Sequence, residues 1–449
     1  MALIIKYPGD VGATELMKLL VRERPTGFGK QMKTIYAIMR DDEGNLRIPV
    51  ALCKQLWNLS LPDYTQLTRY KIENNIEVGA DGRKEQIQTY ERLTESIVKH
   101  RFVFLSLYCG AGKTVLGTKL ACDLGITTAF VTDSALLFPQ WVQYLKKNTG
   151  AIVAAIDSPV EVLPPAHFYV FMITACGKMH PKILEPIKFL IVDEATYFMT
   201  PKRVPALMHF TPAYTLGLCA EVTRDDKMEC FLPYFFGNNL IRQISQNPFL
   251  VYRVETPFKP VWQMMRYTAK PDWNLVLKSL AENEERNNIM IKLLVKLRQN
   301  GSKVIFGTKR KKQAQYIHDK LKELGESVAI LMENAKNFPP CRILIGIYGK
   351  MGKGVDPKNL CTNWEGDVFD VAVLGADLCK PEQFVGRVFR HKNPIIYDFV
   401  DDLSTLRKHF ESESKEKPGR IVWYKSRNGT IINTNIVDIL RDDFPKPKV

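Results

Sequence analysis

The sequence predicts an α/β protein: two tandem parallel-sheet domains behind a small N-terminal α+β domain. Three observations predict it. Apolar runs of strand length alternate with helical patterns over residues 83–250, and the alternation resumes from Arg286. The 449 residues allow two to four domains at roughly 100–200 residues each. The composition, 45% hydrophobic and 25% charged, is that of a globular chain able to bury several cores. No apolar run approaches the ~18 residues of a membrane-spanning helix. Residues Met1–Asp10 lack the basic and apolar regions of a secretory leader.

The expected domains are residues 1–80, 81–255 and 256–449. In the first, Lys33–Arg40 and Leu46–Val50 flank the turn Asp41-Asp42-Glu43-Gly44-Asn45 and read as a hairpin; Ala51–Leu59 reads as a helix stopped near Pro62. The polar stretch Asn74–Gly82 reads as a linker. In the second domain the strand-like runs are Phe102–Leu107, Thr128–Thr132, Tyr169–Thr174, Phe189–Val192 and Tyr214–Leu218. Residues 255–283 are loosely patterned. The third domain places helices at Asn287–Gln299 and Lys311–Leu324. Its strands are Lys303–Phe306, Arg342–Ile347, Val368–Leu374 and Ile395–Phe399. The charged stretch Glu411–Arg420 reads as solvated. Asn428-Gly429 between Ile421–Lys425 and Thr430–Asn435 is a strong hairpin signal.

Charge narrows the partner class. Lys and Arg number 63 against 48 Asp and Glu, a formal net charge of +15. Such an excess favours polyanions, nucleic acid first among them, because phosphate neutralisation supplies most non-specific affinity. Nine cysteines, scattered singly without CxxC spacing, argue against a disulfide framework and a zinc site, and for a reducing compartment.

Three segments carry chemistry. Cys109-Gly110-Ala111-Gly112-Lys113-Thr114 follows an apolar strand and opens a helical pattern, the context of a phosphate loop. Small residues let backbone N–H groups wrap phosphates; Lys113 would reach the β/γ-phosphates and Thr114 would hold Mg²⁺. The full eight-residue pattern is not met, because its first glycine is absent. Next, Leu190-Ile191-Val192-Asp193-Glu194-Ala195-Thr196 ends an apolar strand in two carboxylates, 80 residues beyond Lys113. Asp193 would bind Mg²⁺, and Glu194 would orient the water that attacks the γ-phosphate. Finally, Gln383-Phe384-Val385-Gly386-Arg387-Val388-Phe389-Arg390 sets two arginines three apart, on one helix face. Either could neutralise charge developing on the γ-phosphate; a surface basic helix is the plainer alternative.

Phosphate loop, Asp-Glu-Ala-Thr box and Gln-x-x-Gly-Arg-x-x-Arg, in this order, resemble a superfamily 2 helicase over residues 83–410. Helicases of large cytoplasmic DNA viruses, the poxvirus transcript-release type among them, and phage recombination helicases share the pattern. The resemblance implies two RecA-like domains closing over ATP and Mg²⁺, with ATP hydrolysis driving movement along DNA or RNA. It also assigns further residues. Gln86, in Gly82-Arg83-Lys84-Glu85-Gln86, would read adenine, or is simply a polar residue at a helix start. Gly110, Ala111, Gly112, Gln383, Gly354 and Asp356 would line the nucleotide; Arg387 and Arg390 would act on it. Thr132, Gln140 and Thr174 would touch the nucleic-acid strand. Thr308, Lys309 and Arg310 stand at a strand-to-helix turn suited to backbone phosphates, with a solvated helix start as the alternative. Trp141 resembles a strand-contact position but suits a core as well.

Two departures stand out. Cys219-Ala220-Glu221-Val222 occupies the place of the family's Thr-Ala-Thr-Pro, although Arg224 and Asp226 follow as in the family. Ile347 stands where a Thr is common. The first departure concerns unwinding more than hydrolysis, so three readings stand: a helicase or translocase, on DNA first; a nucleic-acid-stimulated ATPase that translocates or releases transcripts without unwinding; and a non-catalytic binding scaffold. The resemblance also implies viral transcription or replication factors as partners, and the host cytoplasm or the virion as the location. No membrane partner is expected.

Overall fold

The computed structural model describes the chain except residues 1, 6–8, 26–31, 58–65, 81–82, 109, 225, 246, 267–269, 333–334, 336, 352–359, 364–365, 367, 415, 443 and 445–449. It divides into two compact units, Met1–Gln243 and Ile244–Val449. No helix among the described residues is long and apolar enough to cross a membrane.

The first unit is built on a seven-stranded sheet. Its order is Leu240–Gln243, Phe102–Leu107, Tyr214–Cys219, Phe189–Val192, Thr128–Thr132, Phe168–Met172 and Val153–Ile156. Every neighbouring pair is parallel. The four residues Phe189–Val192 are all buried, as are the six of Phe102–Leu107. Such unbroken apolar strands are what a sheet covered on both faces requires. Helix Lys84–His100 covers it with Gln86, Thr89, Leu93 and Ile97, spaced three and four apart.

The N-terminal residues do not stand apart. Leu16, Leu20, Ile35, Ile48 and Leu52 belong to one continuous core with Val131, Leu190 and Phe198 of the sheet and its neighbours. The Ala2 N–H donates to the Phe210 carbonyl at 2.8 Å. The expected hairpin forms in part: Met39–Arg40 pairs antiparallel with Leu46–Pro49, and Asp41 Oδ1 accepts from the Glu43 and Asn45 amides. Met32–Tyr36, however, pairs with Val21–Pro25 instead. The helix that follows is Val50–Trp57. The described part of the expected linker is tied to the sheet edge. Asn75 N–H donates to Asn148 O, Gly150 N–H to Glu73 O, and, just ahead of it, Tyr70 N–H to Gly125 O.

The second unit holds another seven-stranded parallel sheet. Its order is Val328–Leu331, Ile343–Ile347, Val304–Thr308, Val371–Leu374, Ile395–Val400, Phe249–Glu255 and Gly429–Asn435. Strand Phe249–Glu255, placed by sequence at the end of the preceding domain, thus pairs here, parallel to both neighbours.

Two expectations near the C-terminus are overturned. There is no Asn-Gly hairpin: Arg420–Lys425 is a helix, Asn428 takes φ 62°, and Gly429–Asn435 adds to the sheet edge in parallel. Asn tolerates the left-handed conformation that ends a helix as readily as one that turns a hairpin. The long-range edge pairing with Phe249–Glu255 decides between them. Nor is the charged stretch uniformly solvated. Arg420 is 1% exposed, with Nε and Nη2 donating to Asp398 at 2.7 and 2.9 Å and Nη1 donating to Asp377 at 2.7 Å.

Asn283-Glu-Glu-Arg286-Asn287 is a structural knot. Asn283 Oδ1 caps helix Glu284–Gln299 by accepting the Arg286 amide at 2.8 Å. Arg286 forks onto Asp401 at 2.7 and 2.8 Å, both residues almost fully buried. Thr256 donates to the same carboxylate at 2.8 Å. Arg286→Met leaves the Asp401 charge buried without its cation and should cost about 3–5 kcal/mol. Lys278→Ala, which breaks an exposed pair with Glu282, should stay within about 0.5 kcal/mol. Urea unfolding followed by tryptophan fluorescence separates the two.

Candidate functional site

In a parallel sheet all strands end on the same edge. Phe102–Leu107 and Phe189–Val192 flank Tyr214–Cys219 in that sheet, so the segments that follow them emerge two strand spacings apart, about 10 Å. The first leads into Gly110–Thr114, the second into Asp193 and Glu194.

The loop is held from several directions. Gly112 takes φ 94° and caps helix Lys113–Leu124. A Cβ there would stand 2.1 Å from Gln86 Nε2, so no other residue fits without displacing that amide. The Gln86 amide donates to the Ala111 carbonyl at 3.0 Å and accepts from the Gly79 amide at 2.8 Å. Arg83 Nη1 donates to the Gly110 carbonyl at 3.3 Å. Lys113 Nζ donates to the Leu107 carbonyl at 2.9 Å. Thr114 is half-buried in the first turn, where backbone N–H groups lack intrahelical acceptors. Gln86 therefore ties the loop, held at Ala111 by one end of its amide, to the Gly79 turn held by the other.

Asp193 is buried, and both of its oxygens are engaged. Trp141 Nε1 donates to Oδ2 at 2.8 Å, and the Glu194 amide donates to Oδ1 at 3.0 Å. Burial pushes the Asp193 carboxyl above the usual range; the indole N–H, the Lys113 charge and the Glu194 amide pull it back. Trp141 is a core residue, 3% exposed and packed on Phe130, that also fixes this carboxylate. Glu194 takes φ 53°, a left-handed conformation costing about 1–2 kcal/mol for a residue with a Cβ. Thr196 donates to the Glu221 carbonyl at 3.0 Å. Arg224 donates to the Thr196 carbonyl and forks onto Asp226 at 2.8 and 2.7 Å. The segment that departs from Thr-Ala-Thr-Pro is thus bonded to the carboxylate segment by its backbone.

The strand-contact candidates divide. Thr132 is fully buried and accepts from the Ser134 amide at 3.2 Å, so its hydroxyl serves the turn. Gln140 is half-buried on helix Leu137–Asn148, and Thr174 is exposed on a helical turn after Phe168–Met172. Sequence reasoning missed Asp133, which forms an ion pair with Arg203 beside the site. Only its position one residue past an apolar strand could have marked it.

In the second unit, Gln383–Arg390 is not one helix. A single turn, Glu382–Val385, gives way to successive turns, with Arg387 half-buried and Arg390 exposed. The shared helix face expected for the arginines is not formed, because Gly386 ends the helix after four residues. Glu382 anchors the segment: Trp423 Nε1 and Arg427 Nη2 donate to it at 3.2 and 2.9 Å. Thr308 is fully buried and donates to Gln313, whose Nε2 donates to Asn287 at 2.9 Å. It is therefore turned inward from the surface where strand contact was expected. Lys309 is exposed, and Arg310 donates to the Asn274 carbonyl at 2.7 Å. Gly354 and Asp356 lie outside the described residues, as does Gly82.

The family pattern described as "Type III restriction enzyme, res subunit" matches residues 80–224, which hold the loop and both carboxylates. The chain is 29% identical over 421 residues to "Putative helicase 161L" of Invertebrate iridescent virus 6, covering 86% of this chain and 89% of that one. The chain thus carries this family pattern across its first sheet and is related over most of its length to viral proteins named as putative helicases. It is also 24% identical over 332 residues to "Putative ATP-dependent RNA helicase L396" of Acanthamoeba polyphaga mimivirus, covering 69% of this chain and 62% of that one. Among solved structures, S. cerevisiae Dbp5 bound to RNA and ADP BeF3 shares the fold. The match has a TM-score of 0.53 at 14% identity and covers 79% of this chain and 93% of that one. The two seven-stranded parallel sheets are the tandem RecA-like architecture that was expected.

Gln86→Ala tests the loop anchor. Because the amide holds the loop, its loss should weaken ATP and GTP binding together, by about tenfold each, roughly one hydrogen bond's worth. Equilibrium titration with fluorescent analogues of both nucleotides checks it; loss of ATP affinity alone would instead mark Gln86 as a reader of adenine.

Proposed function

We propose that this chain is an ATP-driven motor that tracks a nucleic-acid strand by its backbone, with DNA as the track, and that it hydrolyses ATP where both units reach the nucleotide. The observation that carries the reading is the joint placement, on one sheet edge, of a glycine-capped helix start with Lys113 and of the buried Asp193 beside the strained Glu194. The net charge of +15 supports a polyanionic partner. The names of the viral relatives support a helicase; one of them names RNA, which is the alternative track.

The residues suit a magnesium nucleotide. Asp193 is a carboxylate held on fixed donors and acted on by the Lys113 charge, and Thr114 offers a hydroxyl on the adjoining helix turn. Those two residues would hold the ion, which neutralises phosphate charge when bound. Lys113 would leave the Leu107 carbonyl for the β/γ-phosphates. Glu194 would accept a hydrogen bond from the attacking water and orient it. Arg387 would meet the charge developing on the γ-phosphate, and Arg390 would support it. Gln383, Gly354 and Asp356 would complete the nucleotide contacts. Gln140, Thr174, Lys309 and Arg310 would grip the strand, with low sequence preference because phosphates carry no sequence information.

A second reading, translocation or transcript release without unwinding, is favoured by Cys219-Ala220-Glu221-Val222. That segment lacks the hydroxyls through which the family couples hydrolysis to strand movement.

ATPase assays with single-stranded and duplex DNA and RNA test the proposal. Stimulation should be greatest with single-stranded DNA. Lys113→Ala and Glu194→Gln should each lower turnover by more than about 100-fold. Arg387→Ala should keep nucleotide affinity but lower kcat by about 10³. Strand displacement on tailed duplexes separates unwinding from translocation alone.

A further inference from the structure

Outside the nucleotide site, three side chains of different ligating chemistry converge in the second unit. Asp377, Cys379 and His409 bring a carboxylate oxygen, a thiol sulfur and an imidazole nitrogen within 4.8 Å of one another. We propose that Asp377, Cys379 and His409 form a zinc site that ties the loop ahead of Gln383–Arg390 to helix Ser404–Glu411.

The geometry fits one face of a tetrahedron. Cys379 Sγ lies 3.9 Å from Asp377 Oδ2 and 3.8 Å from His409 Nδ1, and that nitrogen lies 2.9 Å from Oδ2. Zinc bonds of about 2.0–2.3 Å at tetrahedral angles set ligand atoms about 3.3–3.6 Å apart. Two edges need to shorten, and one to lengthen, by a few tenths of an ångström. Cys379 is exposed and stands on a loop, so that adjustment is cheap and the ion has a way in.

The surroundings hold the ligands as outer-shell partners should. Asp377 gives its Oδ1 to Arg420 Nη1 at 2.7 Å, which leaves Oδ2 aimed at the other two ligands. The ring of Trp273 lies against His409, with centroids 5.7 Å apart and planes 30° apart. Arg420 is itself fixed by Asp398. Binding releases the thiol proton and the proton that His409 Nδ1 shares with Asp377; the contacting groups then sum to two negative charges, matching a divalent ion. A thiolate with an imidazole selects zinc over magnesium or calcium.

The consequence is mechanical. Asp377 and Cys379 lie between strand Val371–Leu374 and the turn Glu382–Val385. His409 lies on helix Ser404–Glu411, which follows the next strand. A zinc ion would join them across the sheet edge. The scattered cysteines hid such a site, because it uses one cysteine and a histidine 30 residues away.

The test uses the full chain, stripped with a chelator and titrated with Zn²⁺ and with Co²⁺. One equivalent of Co²⁺ should give a thiolate-to-cobalt charge-transfer band in the near ultraviolet, displaced by Zn²⁺. Cys379→Ser should abolish the band and weaken Zn²⁺ binding by at least about tenfold, with the metal-free melting temperature unchanged. His409→Gln should weaken binding similarly. Cys361→Ser, elsewhere in the same unit, should change nothing. A band that survives in Cys379→Ser, a band lost in Cys361→Ser, or a wild-type chain that takes up no metal would overturn the site. None of these readouts depends on ATP turnover.

Discussion

The parallel alignment of three neighbouring strands is the constraint on which the first unit rests. Tyr214–Cys219 runs between Phe102–Leu107 and Phe189–Val192 in one direction. Each of the three is almost wholly buried, with Ser106 and Thr215 as interior hydroxyls, which suits burial on both faces and leaves the charged chemistry at the ends. The C-terminal ends deliver, side by side, a glycine turn with a lysine, two carboxylates, and the segment Ala220–Asp226. A reversed strand would carry one of these to the opposite edge of the sheet. The seven-stranded order, with its crossovers, keeps all three together.

Placing charge at such an edge has a cost that the neighbours offset. Asp193 is buried enough for its carboxyl to be pushed upward, yet an indole N–H, a backbone amide and the Lys113 charge favour the ionised form. A carboxylate held in this way is oriented before any ligand arrives, which is worth more than the same charge on a mobile side chain. The same logic recurs in the second unit at Arg420, with two carboxylates around one guanidinium, and at Arg286 with Asp401. These interior pairs add little net stability compared with apolar residues of the same shape. Their value lies in geometry: each fixes the loop or helix from which its partner comes.

What the sequence revealed follows from where the signal is local. Phe189–Val192 and Thr128–Thr132 are legible to the residue, because four or five consecutive apolar and β-branched residues between breaks are too short for a helix. The loop at Gly110–Thr114 and the pair Asp193-Glu194 are legible because their residue types are rare in that order. The edge strands Val153–Ile156, Leu240–Gln243 and Val328–Leu331, and Phe249–Glu255 next to an edge, escaped notice; none is buried along its whole length, and each is defined by the neighbour it pairs with. The Asn428-Gly429 turn misled for the same reason: the local signal was sound, but a distant strand took the residues after it. Gln86 was legible as a position, not as a loop anchor, because Gly79 and Ala111 approach it only once the chain is folded. Thr132 and Thr308 carry hydroxyls at strand ends, and nothing local says that both turn inward.

The altered segment at Cys219–Val222 shows how a motif can lose its residue types and keep its connection. Thr196 and Arg224 bind the Glu221 carbonyl, the Thr196 carbonyl and Asp226, so the carboxylate segment and the next strand end are linked through main-chain oxygens. A main-chain acceptor is indifferent to side-chain replacement. Having Cys219, Glu221 and Val222 in place of the family's Thr, Thr and Pro therefore leaves this link intact. What it removes is a set of side-chain hydroxyls whose partners would change with the nucleotide. A shift of Glu194 can still move Glu221 through Thr196, because the bond between them spans only 3.0 Å. The Glu221 and Thr196 carbonyls thus join the two segments whatever side chains stand at Cys219–Val222.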